Sequence, residues 1–428
     1  MKHGIVIMAA MCCISACASN TRADEMSDLK QQIAELQQKV ASVEAKQSQQ
    51  QVQVDERITK LADKQSTVPD SLKWAEKIKL SGDFRYRHES VNSQSSGTEQ
   101  AGKNNNRIRA RLGLGVKINE DWDLGFRFAT GASSDPSSTN QSLDNGFAKK
   151  AVWLDQAYFN WHPKRYENRL NIYGGKMPNP FYRAGNNQLV WDDDVNPEGI
   201  AAKYVMPFPG AGNNLYINGG GFWLRADEGD TASTSGASVF GIQGYVKHDF
   251  ENKNYMLGGL SYYMFGNLEG KNGLYSTTNK YGNTMTGAGT TASPYKYAMN
   301  YNVLEAFGEY GFKFADKPTN VYGSYVKNLD ATTSKSTGWL IGTTFNKAKD
   351  PGSWELGYNY RDLQADAVLG LLTDSDFVGG GTNGKGHCFS GKYQFTRNIQ
   401  GGLTYYLSQK GDSGDAYRRL MADIVFKF

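Results

Sequence analysis

Apolar and polar residues alternate with a period of two along most of this chain. The alternation is clearest in residues 417–428, YRRLMADIVFKF, where five apolar residues share one phase: Leu420, Ala422, Ile424, Phe426 and Phe428. This period is typical of a β-strand with one apolar face. We expect this last strand to pair with the first and so close a transmembrane barrel, which leaves no open edge. An ordinary edge strand is the alternative.

The same alternation begins near Ile78. In the segments 78–88, 107–118 and 122–130, the apolar phase is predicted to face lipid and the arginines to face the barrel interior. We name these inward residues the arginine wall: Arg85, Arg87, Arg107, Arg109, Arg111 and Arg127. The wall predicts an electrostatic ladder for anionic solutes, because guanidinium groups stay charged and hold carboxylates in a bidentate way. A solvated polar face is the alternative.

Further strands are predicted at 151–162, 169–177, 198–207, 214–226, 237–250, 253–265, 300–315, 320–330, 336–348, 353–368, 385–397, 399–410 and 417–428. The total of about sixteen is even, as a single-chain outer-membrane barrel requires. Short connections follow even-numbered strands, and mostly longer ones follow odd-numbered strands. The expected fold class is all-β transmembrane, an antiparallel outer-membrane β-barrel of about sixteen strands behind a short N-terminal coiled-coil helix.

The segment 24–66 has a helical pattern instead. Its apolar residues alternate spacings of three and four and form a predicted coiled-coil seam: Met26, Leu29, Ile33, Leu36, Val40 and Val43. β-Branched residues at the first seam position favour two strands, and a three-stranded coil is the alternative. A disordered Gln-rich spacer is the other alternative.

The first 23 residues have the pattern of a secretory signal, with Lys2 ahead of an apolar run. Cleavage after Ala18 or after Ala23 is compatible with the sequence, and a lipobox ending at Cys17 is an alternative. Cys388 is the one cysteine beyond residue 17, so no intrachain disulfide framework is expected. The predicted domains are a signal peptide (1–23), a periplasmic coiled coil (24–66) and a transmembrane barrel (67–428).

Composition agrees with a barrel. The 428 residues are 12% aromatic and include 48 Gly but 11 Pro. The mean hydropathy of −0.58 and the absence of a long apolar run beyond the signal exclude membrane helices. A net charge of +4 does not indicate a nucleic-acid partner. The five histidines occur in no catalytic or metal-binding spacing, so neither an enzyme nor a cofactor is expected.

Four features resemble a family of Gram-negative outer-membrane porins with an N-terminal coiled coil. They are the helical segment, RIRAR at 107–111, GKMPNPF at 175–181 and LLTDSDFVGGGTNGKGH at 371–387. The terminal Phe428 resembles the insertion signal of outer-membrane barrels. The resemblance covers residues 24–428 and implies a homotrimeric channel for small solutes, which depends on the outer-membrane assembly machinery and contacts outer-membrane lipid.

In general porins, the loop between the fifth and sixth strands folds into the pore. In this chain, the segment 178–197 connects the fifth and sixth predicted strands. Its candidate constriction residues, with one residue just after it, are Arg183, Asp192, Asp193, Asp194 and Glu198. Opposed to the arginine wall, these acids would create a transverse field that orients dipolar solutes. An exposed acidic loop and a calcium site are the alternatives.

The function expected from the sequence is passive diffusion of small hydrophilic solutes across the outer membrane, with a weak preference for carboxylates. The alternative is a tether whose coil binds a periplasmic envelope partner. A receptor-type barrel is disfavoured, because the chain shows neither a plug domain nor about twenty-two strands.

Overall fold

The computed structural model describes residues 22–65, 74–144, 146–207, 212–226 and 236–428. The chain divides into two compact units, residues 1–75 and 76–428. The first unit contains one long helix, and the second contains all the strands.

The helix, α1 (Arg22–Gln65), coincides with the predicted coiled coil and is 44 residues long. Three seam residues are exposed in the single chain: Leu36, Val40 and Val43. The side chains of the other three lie outside the described set: Met26, Leu29 and Ile33. Self-association of α1 therefore stays a prediction. The predicted signal segment lies outside the described residues except for its last two. Within the described part, no helix is long and apolar enough to cross a membrane.

Sixteen long strands follow: β1 (Ile78–Ser95), β2 (Lys103–Lys117), β3 (Trp122–Thr130), β4 (Val152–Trp161), β5 (Leu170–Lys176), β6 (Glu198–Pro207), β7 (Asn213–Arg225), β8 (Ala237–Asp249), β9 (Tyr255–Gly266), β10 (Tyr301–Phe314), β11 (Lys317–Asn328), β12 (Thr337–Phe345), β13 (Trp354–Leu363), β14 (Gly384–Gln394), β15 (Ile399–Lys410) and β16 (Asp415–Lys427). Each pairs antiparallel with its neighbours in the chain, and β1 pairs with β16. The predicted sixteen-stranded barrel is confirmed.

Short elements lie in the connections. They are two-residue strands at Thr98–Glu99, Gln141–Ser142, Met285–Thr286 and Lys296–Tyr297, and 3-10 helices at Ala75–Lys77, Lys164–Tyr166, Ala184–Asn186, Gly370–Leu372 and Phe377–Gly379. Connections after even-numbered strands have two to eight residues, and five of the eight after odd-numbered strands have 11 to 34. The predicted alternation therefore holds except at the connections 96–102, 329–336 and 411–414. Long loops therefore gather at one end of the barrel, and short turns at the other.

The seam between β1 and β16 closes the barrel. Phe84 lies opposite Phe426, and Gly82 and Phe428 exchange backbone hydrogen bonds of 3.0 and 3.1 Å. A Cβ at Gly82 would lie 2.6 Å from the Phe428 ring, so a larger residue there would push the terminal aromatic away. The role of Phe428 as an insertion signal stays a prediction.

Two predicted boundaries need correction, and one strand contains a bulge. β1 extends to Ser95, beyond the predicted end at residue 88, because β16 continues to pair with it as far as Ser93. β13 ends at Leu363 rather than near 368, where the chain turns into the barrel interior. In β4, Asp155 is an extra residue that interrupts the period of two, because the register with β3 shifts between Arg127 and Phe128.

The core lies inside the barrel rather than between layers. Its buried apolar residues come from the inward faces of the strands from β6 onward and from three loops, 177–197, 267–300 and 364–383. Outward residues on alternate positions, such as Ile200, Leu260 and Leu304, are exposed. An exposed apolar outer surface is the arrangement of a barrel that faces lipid.

Candidate functional site in the barrel interior

The arginine wall lies on the inward faces of β1, β2 and β3. Arg85 lies directly opposite Arg109, and Arg87 directly opposite Arg107. Like charges in such positions repel each other, so the wall needs compensating acids. Each arginine of the wall has a carboxylate within 4.0 Å.

The acids come from the same strands and their neighbours. Asp83 accepts from Arg109 at 2.8 Å and from Arg111 at 2.7 Å. Arg127 on β3 bonds Asp155 on β4 at 2.5 Å. The arginine wall is therefore an array of paired guanidinium and carboxylate groups rather than a row of unpaired cations.

Two arginines are less well compensated than the others. Arg85 reaches Asp423 only at 4.0 Å and donates a hydrogen bond to Asn140. Arg107 reaches Glu89 at 3.7 Å. The Nε atoms of both guanidinium groups have no hydrogen-bond partner among the described residues. Positive charge is thus least neutralised at these two positions.

Loop 177–197 crosses the interior, because its apolar residues pack against the far wall. The ring of Phe181 lies edge-on to Tyr263 of β9, with 5.0 Å between centroids, and Trp191 lies 5.7 Å from Phe265. The Tyr182 hydroxyl donates to Glu309 of β10 at 2.7 Å. An exposed loop would leave these aromatic residues in water, so its inward position follows from its composition.

The predicted acidic residues of this segment do not form one charged face. Asp194 accepts hydrogen bonds from Arg111 at 3.2 Å and from the Thr139 backbone N–H at 3.0 Å. Asp193 pairs with Arg183 within the loop. Glu198 opens β6 and pairs with Lys176 at 2.9 Å. Among these carboxylates, the one that bonds an arginine of the wall is that of Asp194, through Arg111.

Asp192 turns away from the wall into the protein. Its carboxylate accepts backbone N–H bonds from Asp194 and Ser375, each at 2.8 Å. Burial, together with the neighbouring carboxylates of Asp374 and Asp194, raises its pKa well above the usual range. Asp192 therefore joins two loops and adds little negative charge to the interior.

Loop 364–383 is the partner of loop 177–197, and sequence reasoning missed it. The Asp192 N–H donates to the Leu372 carbonyl at 2.7 Å, and the Asp374 N–H donates to the Gln188 carbonyl at 3.2 Å. Val368, Leu369, Leu371 and Leu372 are buried. An apolar run inside a segment without a period of two was the signal available in the sequence.

The acids of loop 364–383 bind arginines on three strands. Asp376 bonds Arg87 of β1 at 2.9 Å and Arg419 of β16 at 3.0 Å. Asp374 bonds Arg361 of β13 at 2.8 Å. Burial opposes ionisation of Asp376, but the guanidinium groups of Arg419 and Arg87 outweigh it and hold its pKa far below the usual range.

A cavity of about 990 Å³ lies beside the two loops at the long-loop end. Its lining includes Thr139, Asp155, Trp191 and Asp194. Within the described part of the chain, no three metal-ligating side chains come together, so the three consecutive aspartates are not gathered around one point. The barrel interior beside the two loops thus carries charged residues of both signs on its walls, and the two loops fill part of it.

Comparisons with known proteins agree with this architecture. The family described as "Putative porin" matches residues 96–307 and 305–425. The high-pH structure of Pseudomonas putida OprB is similar over 83% of this chain and 95% of that chain, with a TM-score of 0.53 and 12% identity. The Salmonella typhi OmpF complex with daunomycin matches over 82% and 97%, with a TM-score of 0.48 and 12% identity. The search of curated proteins finds no match.

The identities to the solved structures are too low to show more than the fold. The family match is different, because it extends over more than half of the sequence and includes the arginine-wall residues of β2 and β3 and the two interior loops. The resemblance in residues 107–111 and 371–387 lies within it. The chain therefore belongs to the porins, the channel-forming β-barrels of the Gram-negative outer membrane.

Proposed function

We propose that this porin passes small hydrophilic solutes by diffusion and has a weak preference for anions. One set of charges, divided into two ion-pair networks, supports the sign of that preference. It contains the arginines Arg85, Arg87, Arg107, Arg109, Arg111 and Arg419 and the carboxylates of Asp83, Glu89, Asp194, Asp376 and Asp423. The arginines exceed the acids by one, so the excess is positive but small.

Carboxylate-bearing solutes are the natural cargo for such a surface. Arg85 and Arg107 have the longest ion-pair distances in the set, and a guanidinium group can hold a carboxylate through two parallel N–H bonds. High salt should reduce the preference, because the screening length falls to about 3 Å at 1 M.

The test is the reversal potential in a planar bilayer under a KCl gradient. Wild type should be weakly anion-selective. The triple change of Arg107, Arg109 and Arg111 to Gln should shift the channel toward cations, because Asp83 and Asp194 then lose their partners. Changing Arg165 and Arg397 to Gln is the control, since both lie in turns at the short-turn end. A clearly cation-selective wild type, or an unshifted triple mutant, would contradict the proposal.

We further propose that α1 forms a periplasmic coiled coil that registers three barrels in a homotrimer. The exposed seam residues Leu36, Val40 and Val43 support association, since they have no apolar cover in the single chain. Chemical crosslinking of the intact protein in detergent should give trimers. Deletion of residues 24–65 should leave folded barrels that associate less. Crosslinked dimers without trimers would instead favour the two-stranded coil.

A further inference from the structure

Lys203 is an inward-facing cation that the ion-pair network leaves out. It lies on β6 in the same phase as Ala201, which is 1% exposed and packs in the interior. Its own side chain is half-buried. No carboxylate lies within 4.0 Å of the Lys203 ammonium, and no hydrogen-bond acceptor bonds it, among the residues that the structure describes. Every arginine of the arginine wall, by contrast, has an acid.

Other lysines near this position are compensated. Lys247, inward-facing on β8, bonds Asp249 at 2.6 Å and lies 5.2 Å from the centre of the Tyr255 ring. Lys176, the last residue of β5, bonds Glu198 at the start of β6 at 2.9 Å. Removing an ammonium group from water without a partner is costly. A half-buried, unpaired ammonium group on an interior wall is therefore suited to an anion that arrives from solution.

The neighbours of Lys203 are amides and tyrosines. The register places Asn171 of β5 and Asn218 of β7 directly opposite it. Tyr173 lies opposite Ala201 and Tyr216 opposite Val205, so each is diagonal to Lys203 but on opposite sides of it along the strands. A diagonal separation is one that long side chains can bridge. Both tyrosines are half-buried, so part of each ring faces the interior space.

The tyrosine rings are held in place by other rings. Tyr216 stacks on Tyr245, with 4.5 Å between centroids and 2° between planes, and Tyr173 lies 6.0 Å from Tyr158. Rings fixed in this way present a rigid π surface, on which a planar solute can stack at low entropic cost. Lys203 lies five residues beyond Glu198, the first residue of β6. It is therefore about 16 Å along β6 from the end of loop 177–197, toward the short turns.

We propose that Lys203 and Tyr216 form a binding subsite for small carboxylates that carry an aromatic ring. The carboxylate bonds the Lys203 ammonium, and the ring stacks on Tyr216, which Tyr245 holds in place. This inference rests on the proposed diffusion function, because the solute reaches the subsite through the channel. The subsite adds a preference for solutes that carry an aromatic ring, which the arginine wall does not provide.

The experiment is titration calorimetry of the full-length folded protein in detergent, with benzoate, acetate and benzyl alcohol as probes. Benzoate should bind several-fold to about tenfold more tightly than acetate, because stacking adds to the charge interaction. Lys203→Gln should weaken benzoate about tenfold, and Lys203→Arg should preserve binding. Tyr216→Leu should reduce benzoate binding toward the acetate level while acetate is unchanged.

Lys247→Gln is the matched control, since it removes an inward lysine that already has an acid partner, and it should leave benzoate binding unchanged. Heat-modifiable mobility on gels verifies that each variant is folded. Equal affinities for benzoate and acetate in wild type, or unchanged benzoate binding in Lys203→Gln, would overturn the subsite. KCl conductance in bilayers is measured in parallel: a conducting protein without benzoate preference refutes the subsite alone, whereas a non-conducting protein refutes the diffusion function.

Discussion

Replacing residues 180–195 with a short Gly-Ser linker should raise the single-channel conductance in KCl several-fold. The segment carries Phe181 and Trp191, which occupy the interior cross-section and pack against β9. A sixteen-stranded barrel encloses an aqueous channel when its interior is not filled, so removing this segment widens the narrowest part of the path. The measurement is the step size of single insertions in a planar bilayer.

The matched control replaces residues 96–102, the connection between β1 and β2, with a Gly-Ser segment of equal length. That connection is exposed throughout and should leave the conductance unchanged. If the variant lacking residues 180–195 conducts like wild type, loop 364–383 alone sets the conductance.

Asp376→Asn should destabilise the barrel by about 3–5 kcal/mol, the usual effect of removing one partner from a buried ion pair. The change leaves Arg87 and Arg419 without one of their acids, inside a part of the protein that water hardly reaches. Urea unfolding of the protein in detergent, followed by tryptophan fluorescence, measures the free energy of unfolding. Asp412→Asn is the control: it breaks an exposed pair with Lys335, and exposed pairs contribute little.

The pH dependence of this effect has a definite sign. The pKa of Asp376 is lowered in the folded protein from its ordinary value of 3.8, so its contribution to stability is fully present above that value. It is lost only as the pH falls through the depressed folded pKa. The difference in unfolding free energy between wild type and Asp376→Asn should therefore persist unchanged from pH 7 to pH 5. A difference that already disappears at pH 5 would show that Asp376 is not held as an anion.

The strands were predictable because lipid and interior impose a period of two on every one of them. The pattern in residues 417–428 identified β16, and the arginines of residues 107–111 fixed the inward phase of β2. Connection lengths then separated the two ends of the barrel. Local sequence was sufficient because each strand is constrained independently on its two faces.

Ion pairing was not predictable in the same way, since it depends on register and on distant loops. Asp423 reaches Arg87 across the closing seam, and Asp376 reaches it from 289 residues away. The bulge at Asp155 interrupts the period of two in β4 and thereby places the Asp155 carboxylate beside Arg127. Lys203 was not singled out either, because its distinguishing property is the lack of a partner.

The contacts of Asp376 also bear on the order of assembly. Arg87 and Arg419 lie on opposite sides of the seam between β1 and β16, whose paired residues are separated by almost the whole barrel sequence. Contacts between such remote segments form late, because closing a long chain segment costs entropy before any contact is made. Asp376 cannot hold both arginines until the two ends of the sheet have met. The contacts of loop 364–383 with these two arginines are therefore completed only after closure, and an engineered disulfide across the seam between positions 84 and 426 should form before they do.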